Sequence, residues 1–436
     1  MFKSMIVGLM LGMYATISVT TLAVLTSTQV LAQTKASEKQ TRKVPTLRGK
    51  VYEQLARAQS YADADDTEQA LSILADITKK QSSMNSYEVA MLHNFYGFIY
   101  YNAANNNKAL ASFKKVVAQP NIPESFEQAT LFTIAQLSLM AGNFKDAIQA
   151  LEQWETLQTG SIPPRNTFIK AQAYYQNKQF TQAKTYITQA INEQEAQGML
   201  PDEGWLILQR AVHYELKEPH AVKDVLVKLV KLYDQPQYWL QLGAMFGELG
   251  LEKKQLATLE AAKHKGYLVS EGDLYNLAQL YFYHRAPIKC AETIQSGIAK
   301  GVMEESLRNL QFLGQCYQQA KEVDNAIPIL LKAAKFSENG DLYLQVAQLQ
   351  LNIDDHINAL KHARFALDKG GLNNPGLAHL VLGMSLYNRG EFNEALAQFN
   401  LAEEYQQTQK VAQQWQNYVS GEKENYEQLR EAVASD

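Results

Sequence analysis

The sequence predicts an all-α protein, a stack of about ten helix-turn-helix units closed by a C-terminal capping helix. Three observations carry that prediction. A frame of small and aromatic residues recurs at intervals of 33 to 39 residues from Val51 to Gln409. Apolar residues within each recurrence fall at helical spacing, not in alternation. Prolines punctuate unit boundaries (Pro120, Pro163, Pro201, Pro236, Pro375) or the turn inside a unit (Pro219, Pro287), where a missing N–H costs little. Pro328 departs from this and falls inside a second helix, where a kink is expected.

Composition bounds the function. The chain has 436 residues, 46% hydrophobic and 20% charged, so it can bury a core. Its net charge of -4 argues against a general nucleic-acid binder. Two cysteines cannot make a disulfide scaffold or a four-cysteine zinc site.

The N-terminus is an address. Lys3 precedes an apolar run from Met5 to Leu25, and TSTQVLA closes it at Thr26–Ala32. Val30 and Ala32 fit the small-residue rule for signal-peptide cleavage, so 1–32 is expected to be removed after Ala32 and the chain exported to a periplasm. The rival is a retained membrane anchor, since about 20 apolar residues can span a bilayer. On the favoured reading no integral span remains after cleavage. Residues 33–50 form a basic leader, with Lys35, Lys39, Arg42, Lys43, Arg48 and Lys50 against Glu38. From Val51 onward the net charge is -10. The leader reads either as a solvated linker or as a peripheral contact with an anionic surface.

The repeats follow, from 51 to 409. The clearest is Gly376–Gln409: Leu382-Gly383 in a first helix, Tyr387 closing it, Arg389-Gly390 turning, then Phe392, Ala395, Phe399 and Ala402 in a second. The same frame gives units starting near Val51, Ala90, Gln128, Pro164, Asp202, Pro236, Glu271, Leu307, Gly340 and Gly376. Small residues recur where paired helices must approach. On first helices they are Ala58, Gly97, Ala135, Ala171, Gly243, Ala278, Gly314, Ala347 and Gly383. On second helices they are Ala70, Ala109, Ala147, Ala183, Ala221, Cys290, Ala326, Ala359 and Ala395. Gln209 and Gln255 interrupt the two series, so their units should be the least regular. One hairpin cannot bury such a surface alone; stacking on the next one does. Residues 410–436 supply the cap, with Trp415 and Tyr418 over the last apolar face and Glu422, Glu424, Glu427, Arg430 and Glu431 toward water.

This pattern resembles the tetratricopeptide repeat (TPR) family, whose unit is close to 34 residues. The resemblance implies a right-handed superhelical solenoid whose first helices line a concave groove that binds a peptide or partner protein. The signal, the leader running into V-P-T-L-R-G-K-V-Y-E-Q-L and the repeat count are also similar to exported repeat proteins associated with TonB–ExbB–ExbD systems of marine gammaproteobacteria. That likeness implies periplasmic work beside a TonB-type periplasmic domain.

Nothing in the sequence supports an enzyme. There is no phosphate loop, dinucleotide-binding G-x-G-x-x-G, nucleophile elbow or H-E-x-x-H. His356 and His362 are six apart and do not share a helix face. Asp63, Asp65 and Asp66 lack the glycine and acidic ligand of a calcium loop. Neither cofactor nor metal is expected. Cys290 and Cys316 stand on helices expected to pack side by side. A disulfide and a buried free thiol both remain open.

The candidate site is the groove. The position after the small first-helix residue reads Gln59, Phe98, Gln136, Gln172, Arg210, Ala244, Gln279, Gln315, Gln348 and Met384. Three residues on stand Ala62, Tyr101, Leu139, Tyr175, His213, Gly247, Phe282, Gln318, Leu351 and Tyr387. Four before it stand Leu55, Asn94, Phe132, Phe168, Leu206, Leu240, Tyr275, Gln311, Leu344 and Leu380. Amides offer a donor and an acceptor to an extended backbone, and the rings offer apolar contact. The competing account is that Gln is a good helix former at a wet position. The family's carboxylate clamp is not recognisable, since Arg165, Arg210 and Arg308 are the only groove cations, in separate units. An alternative is an envelope-assembly or polysaccharide-associated scaffold, with Phe98, Tyr101, Phe168, Tyr175, Tyr275 and Phe282 stacking on glycan.

Overall fold

The computed structural model describes residues 42–435, with the signal segment and the leader up to residue 41 outside the described part. The described residues are all-helical, without strands, and divide into two compact units, one ending at Thr133 and one beginning at Ile134.

The first unit contains α1 (Gly49–Asp63), α2 (Thr67–Thr78), α3 (Ser86–Asn102), α4 (Asn106–Val117) and the start of α5 (Glu124–Met140). Its core closes around Leu55, Ala58, Ala70, Leu74, Leu92 and Ile99. The end of the leader, exposed for the most part, makes polar contacts with this unit. Arg48 donates Nε and Nη2 to the buried carboxylate of Glu88 at 2.7 and 2.6 Å. Asn85 Nδ2 donates to the Thr46 carbonyl, and Arg42 pairs with Glu127.

The second unit carries the rest of α5, then α6 (Phe144–Thr156), α7 (Pro164–Gln176), α8 (Phe180–Ala196), α9 (Glu203–Glu215), α10 (Pro219–Tyr233), α11 (Pro236–Glu248) and α12 (Glu252–His264). It continues through α13 (Glu271–Tyr283), α14 (Pro287–Ala299), α15 (Leu307–Gln319), α16 (Val323–Phe336), α17 (Asp341–Asn352), α18 (His356–Lys369), α19 (Pro375–Asn388), α20 (Phe392–Glu403) and α21 (Gln409–Ser435). Odd-numbered helices up to α19 are thus first helices, even-numbered ones second helices, and α21 is the cap. Ala412 and Val419 are its fully buried residues, while Tyr418 is half open. Among the described residues no helix is long and apolar enough to cross a membrane.

The small-residue frame holds with one shift. Added Cβ atoms on Gly97, Gly314 and Gly383 would lie within 2.4–2.6 Å of Phe113, Leu330 and Phe399 respectively, so these glycines let a ring or leucine of the second helix seat against backbone. In the fifth hairpin the slot belongs to Val222, which is 4% exposed, and not to Ala221. Every other second helix places its slot residue three after its first residue, and Val222 obeys that rule. Pro328 lies inside α16, which runs on through it.

All ten hairpin turns share one geometry that only three glycines advertise. The turn residue is left-handed in each: Asp65, Ala104, Gly142, Lys178, Lys217, Gly250, Arg285, Lys321, Asp354 and Gly390. The N–H after it reaches back five residues, as Asn105 to Tyr100 and Glu322 to Tyr317 do at 2.8 and 2.9 Å. This is the Schellman closure of a helix C-terminus. The aspartates of the first turn serve it. Asp65 takes the left-handed position and Asp66 caps α2 by accepting from the Gln69 N–H.

Successive second helices are stitched by lysines reaching the preceding hairpin: Lys228 to Glu195, Lys289 to Glu260, and at the loops Lys265 to Asp234 and Lys332 to Glu305. Each is a surface pair, worth about 0–1 kcal/mol.

Candidate partner-binding face

The predicted slots divide into those that face out and those the core absorbs. In the first unit, Asn94, Phe98, Tyr101 and Phe132 are half-buried. Phe98 packs edge-on against Phe113 at 5.3 Å, the ring that fills the Gly97 slot. Gln59 turns to its own helix and donates to Asp63.

In the second unit, Gln136, Gln172 and Gln348 are half-buried, and Gln279 and Gln315 are exposed. Among the described residues none of these five amides makes a hydrogen bond to the chain. Neighbouring amides do bond between consecutive first helices. Gln345 Nε2 donates to Gln318 Oε1 at 2.8 Å, and Arg210 donates to Gln241. These bonds show that the first helices present their polar groups side by side.

The slot four before the glutamine series is groove-facing only in part. Leu55, Leu206, Leu344 and Leu380 are 0–4% exposed and belong to the cores. Phe168 stacks on Trp205 of the next first helix, 5.3 Å between centroids and 13° between planes. Tyr275 lies under Arg308, whose Cζ is 3.7 Å from the ring centroid, and both Tyr275 and Phe282 contact Phe312. Tyr175 contacts Phe180, and Tyr387 contacts Phe392 and Tyr418. Most of the predicted rings are therefore committed to ring neighbours.

His213 is not an open groove residue. It is 8% exposed, with Nδ1 2.6 Å from Glu218 Oε2. Lys184 donates to both oxygens of the same carboxylate at 2.7 and 2.9 Å. Lys184 first, and His213 with it, hold the Glu218 carboxyl below its usual range.

The structure adds residues that sequence reasoning missed. Lys170 is 2% exposed on α7, donates to Glu155 at 2.5 Å and lies 4.2 Å from the Tyr186 centroid. Tyr186 stacks flat on Tyr174, which donates to Glu152 at 2.8 Å. Burial pushes the lysine down, but the bonds to Glu155 and Tyr186 outweigh it and leave its pKa raised. Burial, and then Glu152, pushes the Tyr174 phenol up. This cluster ties α6, α7 and α8 together. Tyr214 and Tyr283, five residues past the small slot, are 69% and 68% exposed. Continuing the slot reading one position further would have found them.

Cys290 and Cys316 are both fully buried and joined as a disulfide between α14 and α15. Among the described residues no group of histidines, cysteines or carboxylates could hold a metal ion.

No family model and no curated protein matches the chain. Solved structures similar to parts of it include a tetratricopeptide repeat protein from Parabacteroides merdae (12% identity, 59% of this chain and 99% of that one, TM-score 0.30). Another is the TPR2AB domain of yeast Sti1 in complex with pHSP90 (15%, 62% and 98%, TM-score 0.34). A third is YrrB, described as a TPR protein with an unusual peptide-binding site (15%, 43% and 96%, TM-score 0.35).

Proposed function

We propose that this chain is a non-enzymatic periplasmic scaffold that binds an extended peptide, or an extended segment of a partner protein, along its first helices. The observation that carries the reading is the set of amides at one slot of the first helices, Gln136 and Gln172, then Gln279, Gln315 and Gln348 after a break at Arg210 and Ala244. Gln279 and Gln315 stand exposed with no bond to the chain among the described residues. Amides so placed meet the N–H and C=O groups of a strand-like peptide without demanding a sequence. The partner proposed is a TonB-type periplasmic domain, in an energy-transduction or transport system.

The glycan alternative is less well supported. Stacking on sugar needs open ring faces, and Phe98, Phe168, Tyr175, Tyr275 and Phe282 are each packed against another ring.

The test is co-purification of the exported chain with a TonB-type periplasmic domain, against a variant carrying Gln136→Ala, Gln172→Ala and Gln279→Ala. Retention by the native chain and loss by the variant, with helical circular dichroism unchanged, supports the reading. Equal retention removes the amide row from it, and no retention removes the TonB partner.

A further inference from the structure

We infer that Arg308 of α15, stacked on Tyr275 of α13, is an anchor for a carboxylate side chain, aspartate or glutamate, of an extended partner segment. The inference rests on the binding-face reading above and narrows the partner to a segment with an acidic residue at one fixed place.

The pair is built from two consecutive first helices. The Arg308 Cζ lies 3.7 Å from the Tyr275 ring centroid, the contact distance of a guanidinium laid on a ring face. Tyr275 is held in turn by Phe312, 5.1 Å between centroids. Phe312 is 9% exposed and is packed from its other neighbour by Phe282 at 5.5 Å. The core therefore fixes the platform, and the platform fixes the arginine. A guanidinium stacked by its face keeps its N–H groups at the edge of its plane, and that fork matches the two oxygens of a carboxylate. Holding the fork in place beforehand removes side-chain ordering from the cost of binding.

The fork is unspent. Arg308 is exposed and makes no hydrogen bond or ion pair among the described residues. Asn309 first, then the Glu304 N–H, and Arg308 after them hold the Glu271 carboxyl below its usual range, so Glu271 feels the cation. Both Glu271 oxygens already accept, Oε1 from Asn309 Nδ2 at 3.0 Å and Oε2 from the Glu304 N–H at 3.1 Å. Arg210, by contrast, donates to Gln241.

The surroundings suit an anion. From α7 to α19, every acidic residue of a first helix stands at its first, third or last position: Glu203, Glu215, Glu248, Glu271, Asp273 and Asp341. Those at the N-terminal ends are engaged, Glu203 by the Tyr238 hydroxyl, Asp273 by the Ser270 hydroxyl and Asp341 by Asn373. The middle of this face thus carries no negative charge, although the chain from Val51 onward is acidic. The amides lie on either side of the pair. Gln279 and Gln315 are four and seven residues further along the same two helices, Gln136 and Gln172 lie in earlier hairpins and Gln348 in a later one. A segment laid on them passes the arginine instead of ending at it, so the carboxylate belongs to a side chain.

The test is selection of a random dodecapeptide display library on the full chain, followed by fluorescence anisotropy with the most enriched peptide, made with an amidated and with a free C-terminus. The inference expects enriched peptides to share one aspartate or glutamate at a fixed place. Replacing that residue by its amide should weaken binding about tenfold. Arg308→Gln should cost the acidic peptide a similar factor and leave the amide peptide's affinity unmoved. Tyr275→Leu keeps the charge, removes the platform and should cost the acidic peptide about threefold. Peptides whose binding falls with Gln279→Ala and Gln315→Ala but not with Arg308→Gln overturn the anchor and leave the binding face standing. Binding that needs the free C-terminus in place of the acidic residue overturns the side-chain assignment. Enrichment without a fixed acidic residue also overturns the anchor. Absence of any enriched peptide, or indifference to both sets of variants, overturns both.

Discussion

Arg48 and Glu88, 40 residues apart, form a two-pronged ion pair at the edge of the first unit, with the carboxylate wholly buried and the guanidinium half exposed. The backbone N–H groups of Arg48 and Asn85 also donate to this carboxylate, at 3.1 and 3.0 Å. The last leader residues and the N-terminus of α3 are thus closed on one acceptor.

Stability of the first unit should therefore depend on pH on the acid side. The Arg48 side chain, with the two backbone donors, depresses the Glu88 pKa from 4.5 to about 2. Because the folded value lies below the unfolded one, the contribution is complete above about 4.5 and is lost as pH falls toward 2. Glu88→Gln should remove about 3 kcal/mol at neutral pH and flatten this acid limb. Hydrogen exchange of α1 and α3 amides against pH is the measurement.

The second prediction concerns close packing. Gly314→Leu should overpack the contact with Leu330 and lower stability by about 1–3 kcal/mol, and Gly97→Leu should do the same against Phe113. Urea unfolding followed by circular dichroism reads both. A midpoint unchanged in either variant would place those glycines elsewhere in the packing.

Turn geometry gives a stabilising prediction. Ala104 holds φ at 57° in a closure where glycine carries no Cβ penalty. Ala104→Gly should raise stability by up to about 1 kcal/mol. The same change at Ala118, which has ordinary helical φ, should lower it, and a thermal melt of the pair separates the two effects.

The Lys170 cluster should tolerate replacement of its charge poorly. Lys170→Met keeps much of the stem but leaves Glu155 without its donor, and a loss of about 2 kcal/mol is expected. Urea unfolding of the variant against the native chain is the measurement.

How much of this could be read from the chain depended on whether a residue type had one physical meaning. Gly97, Gly314 and Gly383 did, because only a missing side chain admits Phe113, Leu330 and Phe399, and the ten-hairpin frame followed. Turn residues did not. Lys178, Lys217, Arg285 and Lys321 look like ordinary surface cations, and only their backbone shows the shared closure. Ala221 was misread because alanine suits either side of a helix, whereas Val222 continues the burial of α10 through Val225 and Leu226. The groove was legible as a set of slots and not as contacts. Leu206 and Phe168 hold the same slot, yet one is buried and the other stacks on Trp205. The partner of Glu88 was hidden for another reason, since Arg48 sits in a basic run that sequence composition treats as one body.

The lysine stitches between hairpins have a genealogical consequence. Each joins a donor to an acceptor in the hairpin just before it, so four consecutive seams, from the fourth hairpin to the eighth, carry the same kind of fastening. Copying or excising one whole hairpin within that stretch would leave each new junction with a compatible seam. The molecule can therefore change its reach by duplication, in steps of one module, while neighbouring modules keep their sequences.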